Sequence, residues 1–368
     1  MRATRADVDL TAVAYNVRAL REMVAPAMVC AVVKADGYGH GAVAVSQAAL
    51  AGGADWLAVA LVEEAVVLRR SEVEAPVLLL SQPRLDDIAA AVRFDLRVCV
   101  YTPEGVEAVA DAAKRERRLA RVHMKVDTGM NRVGVQPADA VALAQQISAH
   151  GSIEFEGVFT HLAVADEPGN PFTDTQLDRF DAVVADLDAI GLRPPMLHAA
   201  NSAGAIDHPR SRYDLVRVGI GVYGLPPAPV LRDRVALRPA LALRSEVSMV
   251  KRVPAGVGIS YGLRHVFETE CTVATVPIGY ADGVARRLGA SGGEVLVGGR
   301  RRRIVGTVTM DQLMVDCRDD PVAVGDEVVL IGDQGDECIT AEEWAERLDT
   351  IAYEVVCGIG PRVPRRYR

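Results

Sequence analysis

Eight short apolar runs, separated by longer stretches of helical periodicity, constrain this sequence more than any other feature. They are MVCAVVK from Met28, WLAVAL from Trp56, APVLLLS from Ala75, LRVCVYT from Leu96, ARVHMKVD from Ala120, EFEGVFTH from Glu154, MLHAANS from Met196 and DLVRVGIGVYG from Asp214. Runs that are apolar on both faces suit strands of a buried parallel sheet. The intervening segments, such as AVAVSQAALAGG and PEGVEAVADAAKRERR, place apolar residues three and four apart and end in glycine or basic residues, as helices do. Eight such βα units predict a closed (β/α)8 barrel of the TIM type. The Pro, Gly and Asn of ADEPGNPFTD predict a long loop after the sixth run, at the end of the barrel where substrates are handled.

Beyond about residue 232 the character changes. PAGVGISYG, CTVATVPIGYADG, GGEVLVGGRRRRIVGTVTMDQLMVDC and DPVAVGDEVVLIG are β-rich runs broken by glycine turns, the pattern of a mostly antiparallel β domain. The fold class is therefore α/β, with residues 1–10 a strand packed with the C-terminal domain, 11–232 the barrel and 233–368 the β domain. TAEEWAERL is a helix opened by a capping box, with Thr340 as N-cap and Glu343 three places on.

With half of its 368 residues apolar the chain can bury a large core. Its net charge of −8 argues against nucleic acid or an anionic membrane as the main partner. No run approaches the roughly 20 apolar residues of a membrane span, and MRATRADVDL lacks the apolar stretch of a signal peptide, so a cytoplasmic protein is expected. The six cysteines are far apart and read as buried thiols. His40, His123, His198, His208 and His265 show no metal-ligand spacing, so no metal site is expected. The Arg300 to Arg303 run reads as a solvated hairpin edge.

Polar residues at the carboxyl ends of barrel strands carry the functional reading. Lys34 ends the first run, Lys125 and Asp127 the fifth and His161 the sixth; Asn201 and Ser202 end the seventh, and Arg217 lies in the eighth. A lysine ending a buried strand is favoured in its neutral, nucleophilic form, which suits a Schiff base with an aldehyde cofactor, pyridoxal 5'-phosphate being the usual one; a strand-end lysine reaching solvent is the alternative. Phosphate sites in barrels commonly follow the last two strands, where Asn201-Ser202-Ala203-Gly204 and Gly219-Ile220-Gly221 stand, and Tyr38 could add a phenol. Arg217 in an apolar strand requires a partner, either a carboxylate or the pyridine nitrogen. Against a ring nitrogen, an arginine that keeps its proton would leave the ring a weaker electron sink, which suppresses side reactions.

At this point the residues resemble alanine racemase over almost the whole chain. AVVKADGYGHG, KVDTGMNRVG, HAANSA, RVGIGVYG, GISYG, IGYADG, TVTMDQ and YEVVCGIGPRVPRRY follow in the family's order, and the β-domain motifs set this family apart from other barrel-type pyridoxal enzymes. The resemblance implies that Lys34 carries the cofactor and is the base on one face of the substrate. Tyr261 would be the second base, contributed by the partner subunit of a head-to-tail homodimer. It further implies that Tyr38, Ser202, Gly219, Ile220 and Tyr353 hold the phosphate, that Arg217 faces the ring nitrogen and that His161 lies beside the ring. Arg132 and the Met310 backbone N–H would bind the substrate carboxylate, Lys125 is a candidate for carbamylation, and Tyr280 and Asp282 are entrance residues.

The implied activity is interconversion of L- and D-alanine, supplying D-alanine for peptidoglycan. Asn131, Val218, Thr309 and LRHVFETE depart from the family's usual residues and leave room for a broader racemase acting on serine or lysine. A non-catalytic carrier of the cofactor is the other alternative, and it would lack the β domain and its tyrosine. A decarboxylase would show a C-terminal cysteine motif and a longer chain.

Overall fold

The computed structural model describes residues 3–368. They form two compact units, one made of Thr11–Gly37 and Ala42–Arg238, the other of the residues up to Leu10, Tyr38–Gly41 and Pro239–Arg368. Strand β1 is Arg5–Val8. All eight apolar runs form parallel strands: β2 Met28–Val32, β3 Trp56–Val59, β4 Val77–Leu79, β5 Val98–Val100, β6 Ala120–Lys125, β7 Ile153–Phe159, β8 Met196–His198 and β9 Leu215–Val218.

Two parallel sheets, β4-β3-β2-β9 and β5-β6-β7-β8, join into one ring. On one side a bridge pairs Leu78 with Arg97. On the other, Asp214 N donates to Leu197 O at 3.0 Å and Arg217 N to Ala200 O at 3.0 Å. The closed barrel leaves no unpaired edge. Its outer helices bury the stripes that their spacing predicts. Helix Pro103–Glu116, for example, is capped by Thr102, whose Oγ1 accepts from Gly105 N, and turns Val106, Val109, Ala110 and Ala113 inward. The loop after β7 is shorter than expected because the next helix, Phe172–Ala189, already begins within PFTD, with Asn170 Oδ1 accepting from Phe172 N.

The second unit is built on a ten-stranded sheet in which β1 lies between Leu241–Glu246, to which it is antiparallel, and Arg365–Tyr367, to which it is parallel. Every other pairing in that sheet is antiparallel. Tyr38–Gly41 group with this unit although they begin only four residues after Lys34, which a division into continuous stretches does not foresee. The cause is close packing: Arg365 Nε donates to Gly39 O at 2.9 Å, and a Cβ at Gly39 would meet Val356 O at 2.4 Å.

Three local expectations need correction. Thr340 caps helix Ala341–Leu348, but the Glu343 carboxylate reaches Arg301 and Arg347 and does not close the capping box. The arginine run is only half a solvated edge, because Arg301 is also bound by Glu294 and Glu337, and buried Arg302 is paired with Asp320. Cys30, Cys99, Cys271 and Cys317 are buried, whereas Cys338 and Cys357 are exposed. No helix among the described residues is long and apolar enough to cross a membrane.

Candidate active site

Lys34 follows β2 at the mouth of the barrel, half-buried, and the backbone after it turns the wrong way for L-residues. Ala35, Asp36, Gly37 and Tyr38 all have φ between 51° and 61°. Glycine takes that conformation without penalty, but each of the other three costs about 1–2 kcal/mol. Three hydrogen bonds hold the turn. Ala35 N donates to Glu64 Oε1 at 2.6 Å, Gly37 N to Val33 O at 2.9 Å, and Ala42 N to Asp36 Oδ1 at 2.8 Å. A short left-handed turn bound this firmly fixes where the lysine leaves the strand.

Arg217 is 2% exposed in β9. Burial pulls its pKa down to about 10, which leaves it a cation near neutral pH. The carboxylate alternative fails, since none of the described residues offers an acidic oxygen. Instead Nη1 donates to His198 Nδ1 at 2.7 Å, and Nη2 donates to Thr160 O at 2.7 Å and Ala199 O at 2.9 Å, with His161 Nδ1 at 3.3 Å. No described residue accepts from Nε. Burial, then the charges of Arg217, Lys125, Arg132 and Lys34, hold His161 well below the usual histidine range. These groups therefore share one electrostatic environment, and His161 is neutral within it.

Lys125 ends β6, 5% exposed, with its Nζ 5.6 Å from the centre of the Phe159 ring. Its pKa falls to about 8, chiefly through burial, with Arg217 and Arg132 lowering it further and Asp127 opposing them. Asp127 organises the next loop: its carboxylate accepts from Gly129 N at 3.0 Å, Asn131 N at 3.0 Å and Arg132 N at 2.9 Å. That leaves the Arg132 side chain exposed and available. Buried Ser202 accepts from Gly219 N at 2.9 Å and Gly221 N at 3.5 Å, so its own O–H remains to be donated.

The second unit carries the remaining residues. Tyr38 and Tyr353 have ring centres 6.1 Å apart, and burial, then Tyr353, raises the Tyr38 pKa. Tyr261 is 71% exposed, and its carbonyl accepts from Thr307 Oγ1 at 3.1 Å. Met310 and Tyr280 are exposed neighbours, linked by Ala281 N to Met310 O at 3.1 Å and Tyr280 N to Thr309 O at 3.0 Å. Asp282, expected at an entrance, is fully buried. Its Oδ2 accepts from Gly279 N and its Oδ1 lies 3.4 Å from Arg362 Nε, so it closes the turn and does not face solvent.

Several contributors escaped the sequence reading. Gln176, fully buried, donates to His161 O at 3.1 Å and accepts from Ala163 N at 2.8 Å, fixing the loop that carries His161. His198 and His123, set aside for lack of metal spacing, are buried in the barrel behind Arg217. The alternation of His123 with Arg121 and Lys125 along β6 is the signal the sequence offers.

Models of the alanine racemase N-terminal and C-terminal domains match residues 8–227 and 240–367. The chain belongs to the alanine racemase family. It is 52% identical to the alanine racemase of Symbiobacterium thermophilum over 100% of its own length and 97% of that protein. Its fold superposes on the alanine racemase of D-cycloserine-producing Streptomyces lavendulae with a TM-score of 0.95 at 42% identity, covering 100% of this chain and 97% of that one. A histidine racemase from Leuconostoc mesenteroides subsp. sake is also similar, with a TM-score of 0.92 at 29% identity over 100% and 98% of the two chains. Three positions where this alanine racemase-family chain departs from its expected motifs have structural explanations. Asn131 has φ of 55°, the left-handed conformation that asparagine tolerates best after glycine. Val218 is a buried residue of β9, and the Thr309 hydroxyl bonds the backbone of Gln312.

Proposed function

We propose that the protein interconverts L- and D-alanine with pyridoxal 5'-phosphate held at the barrel mouth. The observation that carries the reading is Arg217, a buried cation with only neutral partners and an Nε–H left to give. A ring nitrogen with a lone pair suits that donor, and an arginine does not release its proton to it. Ser202 fits the same cofactor's phosphate, because a hydroxyl that accepts twice from backbone still donates outward, and Gly219 and Ile220 adjoin it. When bound, the cofactor holds the amino acid's nitrogen through its aldehyde carbon and draws off part of the charge left at Cα.

Lys34 would hold that aldehyde carbon through its Nζ, and its amine, when free, would hold or take a proton at Cα on one face. Inversion needs a second proton site opposite, and Tyr261 of a second copy supplies it. The exposed Tyr261, Leu263, Val266 and Met310 support this, since such apolar surface suits burial in a symmetric dimer. Arg132 binds the substrate carboxylate, and the neutral His161 lies beside the ring without adding charge. The reading carries with it a cytoplasmic place of work and D-alanine as a peptidoglycan precursor.

We further propose that Lys125 is carbamylated. A neutral amine adds its nitrogen lone pair to the carbon of carbon dioxide and loses one proton, giving a carbamate anion beside Arg132. With a pKa of about 8 the neutral amine is plentiful at mildly alkaline pH. Protein equilibrated with 13C-bicarbonate should show a carbamate carbon signal that grows as pH rises through 8 and is missing in Lys125→Met. A spectrum without it from pH 7 to 9 would refute the modification. The same shift makes the folded state bind fewer protons than the unfolded chain between about pH 8 and 10.5, so Lys125 adds stability as pH rises across that window.

Solvent deuterium entry at Cα, followed with each enantiomer of alanine, serine, lysine and histidine, tests the activity. Alanine should exchange and racemise at least about tenfold faster than the others, corresponding to the roughly 1–3 kcal/mol by which a pocket separates side chains differing by a methylene. Faster turnover of histidine would move the reading toward the activity named for the Leuconostoc protein.

A further inference from the structure

Behind Arg217 a line of hydrogen bonds runs through the barrel core. Arg217 Nη1 meets His198 Nδ1 at 2.7 Å, His198 Nε2 meets His123 Nδ1 at 2.8 Å, and His123 Nε2 meets Glu156 Oε2 at 3.0 Å. Glu156 itself lies 3.4 Å from Arg97 Nε and 3.9 Å from Arg121 Nε. Both imidazoles are fully buried. His198 is stacked on Phe159 at 4.6 Å and 6°, and His123 meets the edge of Trp56 at 5.6 Å. Space for the line is built into the backbone, since a Cβ at Gly157 would fall 2.4 Å from His123 Nδ1.

The chemistry of the two ends orders every proton between them. A guanidinium can only donate, so His198 Nδ1 must be bare and its proton must sit on Nε2. That N–H donates to His123 Nδ1, which is therefore bare in turn, and His123 keeps its proton on Nε2 for the Glu156 carboxylate. Protonating either ring would set two N–H groups against each other. Burial, the charge of Arg217 and, for His123, that of Arg97 also disfavour the imidazolium forms, while Glu156 opposes this at His123.

We propose that Glu156 is a positioning residue for Arg217, acting through His123 and His198: its carboxylate accepts the last N–H of a chain whose tautomers the guanidinium sets, and this anchors both rings and holds the guanidinium in place as an undiminished cation. A carboxylate at the far end of the relay thus determines what the active-site arginine can do. The relay is independent of any bound ligand. Only its consequence for cofactor chemistry rests on the reading that Arg217 faces the ring nitrogen.

The test is nitrogen NMR on the full-length chain labelled with 15N-histidine. Among the described residues His123 and His198 are the one pair of imidazoles sharing a hydrogen bond, so a coupling across that N–H···N contact identifies them. Both should be Nε2–H tautomers that do not titrate from pH 5 to 8. A Nδ1–H tautomer, or titration of either ring in that range, overturns the relay. Glu156→Gln keeps the acceptor and removes the charge; both tautomers should persist while the His198 nitrogen shifts move. Glu156→Met removes the acceptor and leaves the His123 Nε2–H unanswered; the tautomers that Arg217 imposes should persist while the coupling across the His198–His123 contact weakens, and a coupling unchanged from wild type would overturn the anchoring role. His198 signals unchanged in Glu156→Gln would overturn the coupling even if Glu156→Met fails to fold. Racemase assays on the same proteins keep the two readings apart, because an ordered relay in an inactive protein would sink the proposed function and leave the relay standing.

Discussion

Lys34→Ala should leave a folded protein without measurable racemase activity. Losing one proton-transfer group lowers rates by about 10²–10⁴-fold, and here the covalent attachment goes with it. Lys34 is half-buried at the end of its strand and outside the packed core, so the variant should still fold, as its circular dichroism would show. The variant should also lose the visible absorbance that an amine-bound pyridoxal gives the wild type. A Lys34→Ala protein that stays yellow and racemises within tenfold of wild type would end the assignment.

Tyr261→Phe separates exchange from inversion. The equilibrium constant between mirror-image amino acids is one, so detailed balance makes kcat/KM fall equally in both directions, by about 10²–10⁴-fold. Proton exchange with solvent is not bound by that symmetry. The enantiomer whose Cα proton faces Lys34 should still take up deuterium with retention, while its mirror image exchanges slowly. Because the side chain is 71% exposed and phenylalanine keeps its ring, the folded chain should be unaffected. Equal deuterium uptake by both enantiomers at the wild-type rate would remove Tyr261 from the reaction.

The sequence showed the barrel clearly because its strands are buried on both faces and its helices on one, so two distinct periodicities alternate along the chain. Lys34, Lys125, His161 and Ser202 stood out for the same reason, as polar residues ending apolar runs. Their supports were harder to see. The pairing of β6 with β7 shifts register between Val122 and His123, so alternation alone does not reveal that His123 meets Glu156. The carbonyls of Thr160 and Ala199 that bind Arg217 are backbone groups, which residue identity does not betray. Asp282 was misjudged because a short acidic turn motif looks the same whether its carboxylate faces water or bonds its own backbone.

The place of β1 affects how this chain can be made. Its antiparallel neighbour begins at Leu241 and its parallel neighbour at Arg365. At about 5–20 residues per second, a ribosome takes on the order of ten to fifty seconds to travel from the first strand to the earlier of these. Throughout that interval every barrel strand is translated while Ala6 and Val8, fully buried in the finished protein, have no sheet to enter. Strand β1 is thus a natural client for a holding chaperone while the barrel is being translated.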